Sequence, residues 1–153
     1  FDIGDVRITT HISERNLVSG LFGTIHECGH ALYEQGIDPS LRRSPLGSGI
    51  SSGIHESQSR FWENLIGRSF AFWQFFYPNL QKMFTHQLGS VDLNTFYAGI
   101  NAVKPSFIRI HADEATYNLH IMLRMELEIA MLEGSLAVKD PHDSSEIIQI
   151  PYL

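Results

Sequence analysis

Apolar positions along the chain recur mostly at helical spacing, and two short stretches alternate instead. In DVRITT (5–10) Val6 and Ile8 oppose Arg7 and Thr9, the period of a short strand. FIRIHAD (107–113) alternates in the same way, with Ile108 and Ile110 opposing Arg109 and His111. From Glu14 the spacing becomes helical, with Ser13 placed as N-cap and Gly36 as the residue just past the end. Three glycines inside that helix (Gly20, Gly23, Gly29) each weaken it by up to ~1 kcal/mol relative to alanine. Close approach of another backbone is the expected compensation. Residues 36–53, rich in Gly, Ser and Pro, read as a long loop. Loops beyond ~12 residues are often functional.

HESQSRFWENLIGRSFAFWQFF (55–76) reads as a helix ending near Tyr77-Pro78, because proline disfavours helix at the residue before it. Residues 78–88 and 92–103 read as two short helices. Residues 113–136 form a longer helix closed by Gly134. Its apolar residues fall nearly all round, which predicts burial in a bundle or at an interface. The tail, 137–153, is weakly patterned and carries no predicted element. No repeat or composition shift divides the 153 residues, so a single, mostly α unit with one or two short strands is expected.

Bulk properties narrow the function. A formal net charge of −6, with no basic cluster beyond Arg42-Arg43, argues against nucleic acid. The longest apolar run, FAFWQFFY (70–77), is far short of the ~20 residues that a membrane span needs. One cysteine excludes an internal disulfide framework and makes a reducing cytoplasm the expectation. FDIGDVRITT lacks the basic start and apolar run of a signal peptide. The chain opens on Phe1 rather than Met, which suits a processed or partial chain.

The chemistry concentrates in His26-Glu27-Cys28-Gly29-His30. Histidines four apart lie one helical turn apart on one face and can reach a single ion. Glu27 lies about 100° further round, where a general base for a metal-bound water belongs. The five letters alone leave two readings open: a metal site, or a pair of hydrogen-bonded core histidines. Cys28 sits on the flank of the His26/His30 face and reads as a small buried residue. A catalytic zinc normally takes three protein ligands. Gly36 stands where a third histidine would fall in the extended pattern, so the remaining ligand must come from a later helix. Glu56 is the first candidate and Glu63, two turns on, the second. Alone, Glu56 is a first-turn carboxylate that suits the helix dipole; beside HECGH the ligand reading is the better one.

Four stretches resemble, in order, the motifs of one family. DVRIT (5–9), HECGH (26–30), HESQ (55–58) and IRIHAD (108–113) match the DxRxT, HExxH, HES/GQ and IRxxAD elements of the carboxypeptidase Taq family of metallocarboxypeptidases. Phe1 fits the last letter of the family's His-Pro-Phe element. The resemblance implies a helical fold with a deep groove, release of single residues from peptide C-termini, one divalent metal (zinc or cobalt) and a homodimer without a secretion signal. Carried over by motif, His26, His30 and Glu56 are metal ligands and Glu27 the catalytic acid/base. Arg7 and Arg109 become candidates to hold the substrate carboxylate, a task suited to the bidentate guanidinium fork. Taken singly, each arginine reads as a surface or ion-pair residue, with Asp5 or Asp113 as partner. His55 and His111 could orient a ligand or bond an intermediate.

The family's GxxQDxHW motif has no counterpart here, nor does the large helical region that normally precedes these motifs. The chain therefore resembles a C-terminal portion, about a third of a family chain. Two rival readings follow: a non-catalytic metal-binding fragment or helical interaction module, and an HExxH endopeptidase.

Overall fold

The computed structural model describes residues 4–109 and 112–136, and these fall in two compact units, Phe1–Ile100 and Asn101–Leu153. The sequence pattern carries no mark of that boundary. The mostly α reading holds, but no strand forms among the described residues. Residues 5–10 form no strand, with only an isolated bridge at Asp5, and Ile8 is 41% exposed. Alternation supplies a strand's pattern but not the neighbouring strand whose hydrogen bonds would complete it. The second alternating stretch bends at Phe107 and Ile108 and turns at Arg109, where the Ala112 amide donates to the Arg109 carbonyl at 3.1 Å. Phe1, Ile110, His111 and the 137–153 tail lie outside the described residues.

In the first unit, α1 (Leu17–Gln35) begins three residues later than its spacing suggested. Asn16, not Ser13, supplies the cap: its side chain accepts from the Ser19 amide at 3.2 Å. Gly36 ends the helix in right-handed geometry, φ −78°, so its position does not demand glycine. A short tight turn, Pro39–Leu41, interrupts the long loop. Then α2 (Ser52–Arg60) starts on a Ser51 cap that accepts from the Ile54 amide at 3.2 Å. Glu56 therefore sits in the second turn of α2, not the first, and its place owes little to the helix dipole.

The expected continuous helix over 55–76 is broken. After α2 the backbone widens into a π-helical segment, Phe61–Ile66, and α3 (Phe70–Met83) restarts on a Ser69 cap. Pro78 does not end α3. It removes the bond to the Gln74 carbonyl, but both residues are exposed, so water can serve that oxygen. Trp73 and Tyr77, buried on the adjacent face about 100° round the helix, hold the turn in place. Two short helices follow, α4 (Thr85–Leu88) and α5 (Leu93–Ile100).

The core of this unit is Phe22, Trp73, Tyr77 and Ile100, flanked by Leu21, Ile25 and Phe96. Aromatic packing links α3 to α5: Trp73–Phe96 ring centres lie 4.7 Å apart and Tyr77–Phe96 4.6 Å. Arg68 lies over the Phe22 ring at 4.1 Å and donates to the Ile100 carbonyl, tying α1 to the end of α5.

In the second unit, α6 (Tyr117–Leu132) is followed by Gly134 at φ +75°, the left-handed closure that favours glycine. The all-round apolar pattern of α6 is not buried among the described residues. Met125 is 61% exposed and Leu132 85%.

Candidate metal centre

The centre is built where α1 and α2 cross. Gly29 makes the crossing possible, since a Cβ there would lie 2.6 Å from the Ser59 Cα and 2.8 Å from the Gln58 carbonyl oxygen. Of the three glycines on α1, Gly29 has the tight approach expected of it. Gly20 has an ordinary contact, and Gly23 faces open space.

Across that crossing, His26, His30 and Glu56 offer three donor atoms, all within 4.8 Å of one another. Glu56 Oε2 is 3.5 Å from His26 Nε2 and 3.3 Å from His30 Nε2. Its other oxygen takes the Arg60 Nε–H at 3.1 Å, and Ser59 Oγ also bonds Oε2 at 3.1 Å.

The outer nitrogens of both histidines are engaged. His26 Nδ1 bonds Glu63 Oε2 at 2.9 Å. A carboxylate can only accept, so His26 donates from Nδ1 and turns Nε2 toward Glu56. Glu63, the second candidate ligand, thus stands behind His26 rather than in the donor set. The π-helical widening carries it there, and Arg60 Nη1 donates to the same oxygen at 2.9 Å. His30 Nδ1 meets His55 Nδ1 at 2.5 Å, and His55 Nε2 meets Glu34 Oε1 at 2.7 Å.

Burial depresses the His30 pKa first, and the nearby His26 and His55 depress it further against opposing Glu56 and Glu27. The imidazole is thereby favoured in its neutral form, the form that binds metals. For Glu56, burial pushes the pKa up, but His26, Ser59 and Arg60 together outweigh it and hold the carboxyl below its usual value.

Two ring nitrogens and one carboxylate oxygen therefore converge across the crossing. At 3.3 and 3.5 Å the contacts are long for charge-assisted hydrogen bonds. They suit a shared cation better: ligands at 2.0–2.1 Å from a tetrahedral ion stand about 3.3–3.4 Å apart. Glu27 and His30, with Ser52 and Glu56, line an open cleft of about 770 Å³ beside the donors.

Residues 1–144 match the family described as Carboxypeptidase Taq (M32) metallopeptidase. The chain belongs to that family. It is 53% identical over 137 residues to thermostable carboxypeptidase 1 of Thermus thermophilus and 50% identical to carboxypeptidase 1 of Bacillus subtilis. Each alignment takes in 90% of this chain and 27% of the relative, so the chain spans about a quarter of their length. Among solved structures, the M32 carboxypeptidase of Deinococcus radiodurans superposes with a TM-score of 0.89 at 51% identity. That overlay covers 91% of this chain and 28% of the other. A metallopeptidase family implies a divalent metal, and the donor set of two imidazoles and one carboxylate fits it.

The two arginines of the family motifs stand differently. Arg7 forms a two-pronged pair with Asp5, at 2.8 and 2.9 Å, and its side chain is 67% exposed. Arg109, in the second unit, donates to the Tyr117 hydroxyl and lies over that ring at 5.5 Å. The Asp113 carboxylate instead accepts the Lys104, Ala115 and Thr116 amides.

Sequence reasoning missed Glu34 and Arg60. Each is four residues beyond a donor, Glu34 after His30 and Arg60 after Glu56. That spacing was the signal available.

Proposed function

We propose that this chain carries the catalytic portion of a metal-dependent carboxypeptidase that releases single amino acids from peptide C-termini. The observation that carries the reading is the convergence of His26 Nε2, His30 Nε2 and Glu56 Oε2 beside a cleft lined by Glu27. In it, His26, His30 and Glu56 hold one divalent ion, zinc first and cobalt second. Such an ion, when bound, acidifies a water and polarises a carbonyl. Glu27 accepts the proton of the attacking water and returns it to the leaving amine nitrogen as the peptide C–N bond breaks. Glu63 fixes the ring of His26, and Arg60 balances the charge of Glu56 and Glu63. Arg7 and Arg109 are the candidates to grip the substrate carboxylate. For Arg7 that requires exchanging Asp5 for the substrate, a swap of one carboxylate for another.

A homodimer and a cytoplasmic location belong to the same reading. Family membership supports the first, and the lone Cys28 is compatible with the second. Among the described residues no helix is long and apolar enough to cross a membrane.

The test is metal content followed by release of the C-terminal residue from a short peptide with zinc or cobalt added. Bound metal without turnover would leave this chain a non-catalytic metal-binding fragment. Equal cleavage of an amidated and a free-acid peptide would make it an endopeptidase.

A further inference from the structure

We propose that Glu34 and His55 are positioning residues that fix the tautomer and ring orientation of His30. The inference rests on the metal reading above for its purpose, but its geometry stands without it. Glu34 Oε1 is an acceptor, so the 2.7 Å contact places the His55 proton on Nε2. His55 Nδ1 is then a lone pair. The 2.5 Å contact between the two Nδ1 atoms requires one proton, and that proton must belong to His30. His30 Nε2, 3.3 Å from Glu56 Oε2, is left as the lone pair. One carboxylate thus dictates, through the His55 ring, which nitrogen of His30 faces the donor set. Glu63 does the same for His26 directly, so the two histidines are set by different devices.

The surroundings hold the His55 ring in this pose. A Cβ at Gly49 would lie 2.7 Å from His55 Cδ2 and 3.4 Å from Glu34 Oε1, so the loop backbone closes over the pair. Tyr33 meets the ring edge-on at 5.0 Å, and its hydroxyl accepts the Ile50 amide at 3.3 Å. The long loop before α2 therefore has a task, to roof the Glu34–His55 contact. A residue present only to fill space would not need an acceptor toward His30 and a donor toward Glu34 at once.

That requirement defines the experiment, made on the intact protein. His55→Leu keeps bulk and removes both bonding groups. His55→Gln keeps a carbonyl for His30 and an amide for Glu34. Long-range ¹⁵N–¹H spectra of the metal-free protein should show His30 protonated on Nδ1 in the wild type and in His55→Gln. In His55→Leu the Nε2–H form should appear. Zinc affinity, read by chelator competition, should fall about 10–100-fold in His55→Leu, the usual loss when an outer-shell partner is removed. It should be largely restored in His55→Gln, and Glu34→Ala should lose affinity in the same direction. A wild-type His30 protonated on Nε2 would overturn the proposal. So would a His55→Leu protein with unchanged tautomer and zinc affinity. Should His55→Leu fail to fold, Glu34→Ala takes its place, with the same two outcomes. If the wild type binds no zinc, the metal reading falls, and the tautomer spectra still decide the relay.

Discussion

Gly29 and Ser59 are in backbone contact: there is no room between them for a methyl group. That contact brings α2 against α1, and only then does Glu56 reach the two histidines one turn apart on α1. Gly29→Ala gains up to about 1 kcal/mol of helix propensity. It must also force a clash with the α2 backbone, and overpacking typically costs 1–3 kcal/mol. We expect a lower melting temperature together with weaker metal binding. A variant that is more stable, with unchanged zinc affinity, would show that the crossing is not set by this residue. Gly23→Ala, facing open space, is the control and should be neutral or stabilising.

Glu27→Gln separates binding from catalysis. The substitution leaves the proposed donor set intact and removes the proton acceptor. Metal content should stay at the wild-type level, while turnover should fall by roughly 10²–10⁴-fold, the usual share of a positioned acid/base group. Metal content is read by elemental analysis and turnover by released amino acid. Full activity would end the general-base role.

Glu56 and Glu63 contact the same histidine from opposite sides, and their variants should differ. Glu56→Gln removes the negative charge from the donor set and should cause the larger loss of metal. Glu63→Gln leaves all three donors and disturbs only the His26 orientation, a loss on the order of 10-fold. The reverse order, measured by chelator competition, would make Glu63 the ligand.

The sequence made the donors legible because i,i+4 spacing on a helix is a local property, and HECGH fixes two of them without tertiary information. The mostly α architecture was legible for the same reason. What lay between the helices was not. Glu34 is four residues past His30, but it bears on the site only because the Gly49 loop and α2 carry His55 into the gap. The π-helical widening at Phe61–Ile66 inserts a change of phase that no helical count contains, so Glu63 seemed to share the face of Glu56. At residues 5–10 the alternation was real, but alternation describes one strand and a sheet needs two. Pro78 misled because the rule for proline concerns the lost bond and the crowded turn. Here Gln74, whose carbonyl is freed, is exposed, and Trp73 and Tyr77 anchor the neighbouring face.

Asp113, at the end of the IRIHAD motif, should make stability depend on pH. Its Oδ2 accepts the Lys104 amide at 2.8 Å, and its Oδ1 accepts the Ala115 and Thr116 amides at 3.0 and 2.9 Å. Partial burial raises its pKa, but these amides outweigh burial and hold the carboxyl below its ordinary 3.8. In the window between the folded value and 3.8 the unfolded chain binds more protons than the folded one, so stability rises with pH there. The contribution is present in full above that window and is lost as pH falls through the folded pKa. Asp113→Asn does not titrate and weakens all three bonds. The wild type should therefore melt higher than Asp113→Asn at pH 7, and the gap should narrow below about pH 4, where a model aspartate protonates. Paired thermal melts across pH 2–7 test this. A gap that is constant over that range would mean that the carboxylate charge contributes nothing to the turn ahead of α6.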